Sequence, residues 1–421
     1  MNFLQENIGS ARDNLKSPVH DWYKFTAGFS FKFVEEIINH ENLRQKRNSV
    51  IYDPFAGCGT TLVSCQKEGI SAVGNEGQEF MYDIIKAKLN WSIEELTYQK
   101  YLFEIQDYIF SFGEYVLKEN VHPLLFTLYS TEALRLLYLI KDYVLKIVEE
   151  DYRLFFKLAL SQTLHKVSIY PIAAPYISRN KELLNRRDVW EVFQEICAKM
   201  FFDTQKLKNK KQSSKIYLHD SRDLNKNIKT NSCKVCITSP PYLNNLDYGE
   251  VSKVHTHFFG ITNSWNDITI NVRKKLVTGS TTHYKDNEFS LDWFLQTDFA
   301  INNKNIIDKL IHNYQNIKEI SATRLGKKSF EILMLLYFMD MYNVLIELRR
   351  ILKPIGKAYL ILGDSAPYGI YIPTTEIIGE IAINCGFTSF EIFKLRSRGG
   401  KWKSLKYRHS LELSESVLIL K

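Results

Sequence analysis

The sequence predicts an α/β protein built on a doubly wound, mostly parallel sheet that carries a helical insertion and a variable lobe. Three observations predict it. Val50-Ile51-Tyr52-Asp53 is an apolar strand running into a turn with Gly57 and Gly59, after which Thr60 to Lys67 starts a helix. A second strand, Ile70 to Gly74, follows at once and ends in Asn75-Glu76. Short strand patterns then return at Lys215 to Leu218, Lys234 to Thr238, Ala358 to Leu362 and Glu415 to Leu420, with helical patterns between them. In open sheets of this kind ligands sit beyond the carboxyl ends of the strands. The glycine turn after Asp53 and the loop after Thr238 are such ends.

Composition sets the bounds. The 421 residues are 45% hydrophobic and 13% aromatic, ample for a large core and for two or three domains at ~150 residues each. With 55 Lys+Arg against 47 Asp+Glu, the net charge of +8 favours a polyanionic partner. Cys58, Cys65, Cys197, Cys233, Cys236 and Cys385 form no disulfide framework. Cys233-x-x-Cys236 has no second pair to complete a zinc site, so core packing is expected there and no metal. Met1 to Glu6 holds no apolar run suited to a signal peptide. Ile332 to Met339, the most apolar stretch, is bounded by Glu331 and Asp340 and is too short to span a bilayer. A soluble, reduced, cytoplasmic protein with no membrane partner is expected.

Taken in order, the chain opens with a polar lead and then the aromatic run Val19 to Val34, suited to docking on a core. The glycines of the turn at Gly57 and Gly59 let backbone approach a ligand closely, and the following helix offers free N–H groups. Glu76, at the end of the second strand, suits the hydroxyls of a ribose. About a hundred residues of helical pattern follow, with Ala133, Leu136, Leu137, Ile140, Val144 and Ile147 recurring at three and four after a Ser130 cap. The basic run Lys206 to Lys215 closes this insertion, either solvated or touching nucleic acid. Lys215 to Leu218 restores the α/β pattern and delivers His219, expected to be structural, and Asp220. Lys234 to Thr238 is ended by Pro240-Pro241, which removes two backbone donors and forces the chain out of the sheet. Val251 to Lys328 is poorly periodic and reads as a loop-rich lobe. A helix from Phe330 to Leu352 turns at Lys353 to Lys357 into the strand Ala358 to Leu362, after which Asp364 either caps a turn or reaches the site. Ile377 to Phe387 is helical, and Glu415 to Leu420 makes the last strand. Arg396, Arg398, Lys401, Lys403, Lys406 and Arg408, with Trp402 and Tyr407 among them, form the densest basic aromatic patch, either a solvated loop or a set of phosphate contacts.

With both loops on the page, the chain resembles the amino-methyltransferases that use S-adenosylmethionine to methylate bases in DNA. Thr238-Ser239-Pro240-Pro241-Tyr242 is similar to the signature of their cytosine-N4 branch, whereas adenine-N6 enzymes more often carry Asp at the first position. Asp53-Pro54-Phe55-Ala56-Gly57-Cys58-Gly59-Thr60-Thr61 resembles their glycine turn. The resemblance implies a Rossmann-like methyltransferase sheet and assigns Asp53, Pro54, Phe55, Gly57, Gly59, Thr60, Thr61 and the ribose acid Glu76 to S-adenosylmethionine. It adds Phe25, Gly28 and Phe29 near the methionine end and Asp220 at the adenine amino group. It makes Ser239, Pro240, Pro241 and Tyr242 the catalytic loop. Double-stranded DNA, with a flipped cytosine, is the implied substrate, and a cognate restriction endonuclease is a possible partner. The implied division is a cofactor-binding part at 1–95, a helical insertion at 96–210, a catalytic part at 211–260, a variable lobe at 261–334 and a C-terminal part of the core at 335–421. Target recognition falls to the lobe or the insertion. The rival readings are an adenine-N6 DNA or RNA base methyltransferase and a catalytically dead nucleic-acid-binding regulator. The intact Gly57, Gly59, Glu76 and Ser239 argue against the last.

Overall fold

Alternating and continuous apolar runs become a seven-stranded sheet: β1 (Val50–Asp53), β2 (Ser71–Glu76), β3 (Lys215–Leu218), β4 (Cys233–Thr238), β5 (Leu352–Gly363), β6 (Phe390–Arg398) and β7 (Leu413–Leu420). The computed structural model describes residues 11–421 except 26, 47–48, 114, 118–120, 173–176, 178–186, 212, 325–327 and 399–410. Strand order is β3-β2-β1-β4-β5-β7-β6. The five strands from β3 to β5 are parallel, and β7 is antiparallel to both β5 and β6. The sheet is thus mostly parallel, as the sequence predicts.

The chain winds outward from β1 through β2 to β3, then returns to place β4 on the other side of β1. That reversal opens a crevice at the carboxyl ends of β1 and β4, the usual ligand position in such sheets. One face of the sheet is covered by α1 (Phe31–His40), α2 (Thr60–Lys67) and α3 (Glu79–Leu89), and its core runs on without a break into the insertion. The insertion comprises α4 (Glu95–Ser111), α5 (Pro123–Leu128), α6 (Thr131–Val144), α7 (Glu150–Val167) and α8 (Val189–Leu207). Ser130 caps α6, its hydroxyl accepting from the Ala133 N–H at 3.2 Å. α7 is buried nearly all round, with Phe155, Phe156, Leu158 and Leu160 in the core, so it forms the axis of the insertion. The opposite face packs the helices Lys304–Ala322, Phe330–Ile351 and Thr374–Asn384.

Several elements differ from expectation. The turn at Lys353 to Lys357 lies inside β5. Pairing steps from Cys233–Leu352 to Val235–Lys357, so β5 bulges where Pro354 has no N–H to give. Gly356 sits at that bulge because a Cβ there would meet the Lys353 carbonyl at 2.9 Å. The region between Val251 and Lys328 is a lobe of short helices ending in the 19-residue helix Lys304–Ala322, and so is more helical than its weak periodicity suggests. β6 is an edge strand in which Phe390, Ile392, Phe393 and Leu395 do not alternate strictly and only Leu395 among nine residues is buried. Cys233 and Cys236 are buried thiols of β4. Among the described residues no helix is long and apolar enough to cross a membrane.

Candidate functional site

Two cavities meet at the crevice. The first, an empty volume of about 830 Å3 with open solvent at its mouth included, is lined by the aromatic segment, the glycine turn, the end of β2, the Asp220 turn and Ser239. Each wall follows from a local rule. Gly57 takes φ +56°, a left-handed conformation that most residues avoid, and its N–H donates to Glu76 Oε2 at 2.9 Å. Gln78 N–H donates to Glu76 Oε1 at 2.9 Å, so the carboxylate is held by one backbone amide on each oxygen, with lone pairs left for a ligand. Burial pushes the Glu76 carboxyl up to about 7 against the pull of those amides.

Phe25, Gly28, Phe29, Pro54, Phe55, Gly57, Thr60, Glu76, Asp220, Ser239 and Pro241 all line this cavity. Asp53, Gly59 and Thr61 stand behind its wall. Asp53 is fully buried and accepts from Thr238 Oγ1 at 2.6 Å and from the Phe55 N–H at 3.0 Å, tying the end of β1 to the end of β4. Burial lifts its carboxyl up to about 6. Thr61 donates from its hydroxyl to the Ile237 carbonyl at 3.1 Å, a second tie between the same two parts. Gly59 caps α2 at φ +84°, and a Cβ there would press on Ile85. Buried Lys88 donates at 3.2 Å to the carbonyls of Cys58 and His20, joining the glycine turn to the aromatic segment. These groups position the site without facing it.

The second cavity adjoins the first and shares Phe25, Ala27, Gly28, Phe29, Ser239 and Tyr248 with it. Its other walls include Arg12, Lys24, Arg396 and Arg398 together with Tyr242, Asn245, Leu246 and Glu415. Tyr242 is fixed in place: its hydroxyl donates to Glu415 Oε1 at 2.9 Å, and Glu415 pairs with Arg396 at 2.5 Å. The Arg398 guanidinium lies 4.9 Å from the Tyr242 ring centroid. Ser239 Oγ donates to the Ile361 carbonyl of β5 at a long 3.4 Å, so its hydroxyl is only loosely committed. Pro240 lines neither cavity and serves as the rigid link in the loop. Asp364 accepts from Tyr371 and Ser414 hydroxyls at 2.9 and 2.7 Å and lines neither cavity.

Tyr248, from the polar and aromatic set that follows the catalytic loop in the sequence, lines the first cavity too, and Lys275, Leu276 and Val277, which the sequence did not single out, come to it from the lobe. The aromatic nature of Tyr248 is a visible signal, but nothing local announces that a segment some two hundred residues from Glu76 closes over it. Of the basic aromatic patch, Arg396 and Arg398 reach the second cavity, and Lys401, Trp402, Lys403, Lys406, Tyr407 and Arg408 lie outside the described residues.

The acceptor set fits S-adenosylmethionine: a carboxylate at Glu76 for a diol, a carboxylate at Asp220 for an amino group, and Met81, Leu276 and Val277 as apolar wall for a purine. Residues 6–87, which span β1, the glycine turn and Glu76, match the DNA methylase family model. The match ends before β4 and so leaves out the Ser239 loop. Along nearly its whole length the chain is similar to type II methyltransferases. It is 21% identical to M.BsoBI of Geobacillus stearothermophilus, over 94% of this chain and 84% of that protein. It is 21% identical to M.MvaI of Kocuria varians, over 90% and 84%, and 24% identical to M.AvaI of Anabaena variabilis, over 94% and 85%. The sheet, the crevice and these likenesses together support a DNA methyltransferase of the N4/N6 family.

Proposed function

We propose that the protein methylates the exocyclic N4 of a cytosine flipped out of double-stranded DNA, as the modification enzyme of a restriction-modification system with a cognate endonuclease. The observation that carries this reading is the position of Ser239, a wall common to the acidic cofactor cavity and to the cavity lined by Arg12, Lys24, Arg396 and Arg398. S-adenosylmethionine supplies the methyl group as a sulfonium and leaves as the thioether.

The protein's task is positioning, because an amino nitrogen conjugated with its ring is a poor nucleophile. Glu76 accepts from ribose hydroxyls and Asp220 from the adenine amino group. Phe25, Gly28 and Phe29 fill the wall near the methionine end. Pro240 and Pro241 stiffen the loop, so that the Ser239 hydroxyl meets an amino hydrogen and favours a nitrogen whose lone pair points at the methyl. The proton leaves to solvent after transfer. Tyr242 offers its ring to the extruded base, and Arg398, which holds that ring in the DNA-free protein, passes to a phosphate. The lobe at 261–334 reads the target, while 1–95, 211–260 and 335–421 form the catalytic core and 96–210 braces it.

Transfer of labelled methyl to DNA in a single turnover, followed by separation of the nucleosides, tests the proposal. N4-methylcytosine is expected, with transfer at least tenfold slower in Ser239→Ala and DNA and cofactor affinities nearly unchanged. N6-methyladenine would overturn the branch and leave the enzyme class. Parent-rate transfer in Ser239→Ala would overturn the loop mechanism.

A further inference from the structure

The Asp220 carboxylate at the cofactor cavity is gripped from behind. Arg222 Nη2 reaches Oδ2 at 2.6 Å, and Nε reaches the two oxygens at 3.0 and 3.1 Å. The same guanidinium donates through Nη1 to Asp340 Oδ2 at 3.1 Å and through Nη2 to the Lys274 carbonyl at 2.7 Å. Asp340 sits on the helix Phe330–Ile351, nearly buried, and its Oδ2 also accepts from the N–H and the hydroxyl of Thr278, each at 2.8 Å. Both ends of the segment 274–278 are therefore fastened to one ionic cluster. Its middle, Lys275 to Val277, is cavity wall. A further attachment lies at Gly77, next to Glu76, where an added Cβ would collide with the Lys275 carbonyl. Arg222 does not line the cavity.

We infer that Arg222 is a positioning residue that makes 274–278 a strap across the cofactor cavity, so that holding the cofactor and ordering the lobe are one event. This rests on the reading of the cavity as the S-adenosylmethionine site. The guanidinium lies between two carboxylates, and its planar fork is what lets one side chain satisfy Asp220, Asp340 and a lobe carbonyl together. Any ligand that presses on Leu276 and Val277 stabilises the fastened strap. By reciprocity, anything that orders the lobe raises cofactor affinity by the same factor. In the proposed function that second ligand is DNA, so cofactor and target bind cooperatively through a cluster that meets the cofactor only at Asp220.

Two variants test the strap independently. Arg222→Lys keeps a cation beside Asp220 but loses the fork. Gly77→Ala pushes Lys275 outward and leaves the ionic cluster alone. Titration of S-adenosylhomocysteine by calorimetry should show each variant weakened by about tenfold. The double variant should be no weaker than the worse single one, since both act through one segment. Limited proteolysis separates positioning from mere stability: S-adenosylhomocysteine should protect 261–334 from cleavage in the parent and fail to do so in Arg222→Lys. Parent affinity in either folded variant, or equal protection of the lobe in Arg222→Lys, would overturn the strap. Should Arg222→Lys not fold, Gly77→Ala alone decides, with parent affinity sinking the idea. A parent chain that does not bind S-adenosylhomocysteine would remove the cofactor reading and the strap with it.

Discussion

Glu76 and Asp53 are two carboxylates raised by burial, to about 7 and about 6, from opposite sides of one glycine turn. The fold therefore favours their protonated forms. The stability they contribute is complete below about pH 4 and is lost as pH rises through 6 to 7, on the order of 3 kcal/mol for each. Denaturant unfolding of the ligand-free protein from pH 4 to 8 should show this decline, and Asp53→Asn should flatten it. Cofactor binding should run the other way. Ribose hydroxyls donate to an ionised carboxylate, so affinity should rise with pH up to about 7 and then level off. Glu76→Gln should bind about tenfold more weakly at pH 8 and lose this pH dependence, as calorimetry at several pH values would show. Most of these residues were legible in the sequence because a glycine turn and a strand-end acid are local patterns. What was not legible is that Asp53 and Thr61 face away from the cavity. Their direction is set by Thr238 and Ile237, partners that only folding brings near.

At the scale of elements, the aromatic segment is a clamp as well as a cavity wall. The Trp22 indole donates to Asp203 of α8 at 2.9 Å, and Lys157 of α7 pairs with Asp83 of α3 at 2.6 Å, so the insertion is bolted to the core at two places. Phe156→Ala, in the middle of α7, should cost about 3–5 kcal/mol of stability with cofactor affinity unchanged in the folded fraction. Thermal unfolding beside a binding titration checks both halves. Tyr242→Phe should keep the ring and lose only the bond to Glu415, leaving capture of the base nearly intact, whereas Tyr242→Ala should weaken both capture and turnover. A fluorescent base analogue at the target position distinguishes them. The strands with apolar runs and the capped helix after Ser130 were readable from period and punctuation. β6 was not, since its apolar residues do not alternate strictly, and neither was the bulge at Pro354, whose turn chemistry resembles a true chain reversal.

For the whole molecule, the net charge is +8, and Arg12, Lys24, Arg396 and Arg398 line the second cavity. DNA affinity should fall steeply with salt, and Lys24→Ala and Arg398→Ala should each flatten the slope by about one. A slope equal to the parent's in both would place the phosphates elsewhere. The sheet order has a consequence of another kind. β1 is an interior strand, yet its partner β4, the middle strand of the seven, begins about 180 residues later in the chain, after the entire insertion. During synthesis at ~5–20 residues per second, one edge of β1 waits roughly ten to forty seconds before β4 exists to cover it. An apolar strand open that long is a template for pairing with other nascent chains. The helices α4 to α8, made in that interval, share a core with one face of the sheet. The crevice, split between β1 and β4, cannot exist until the wait is over.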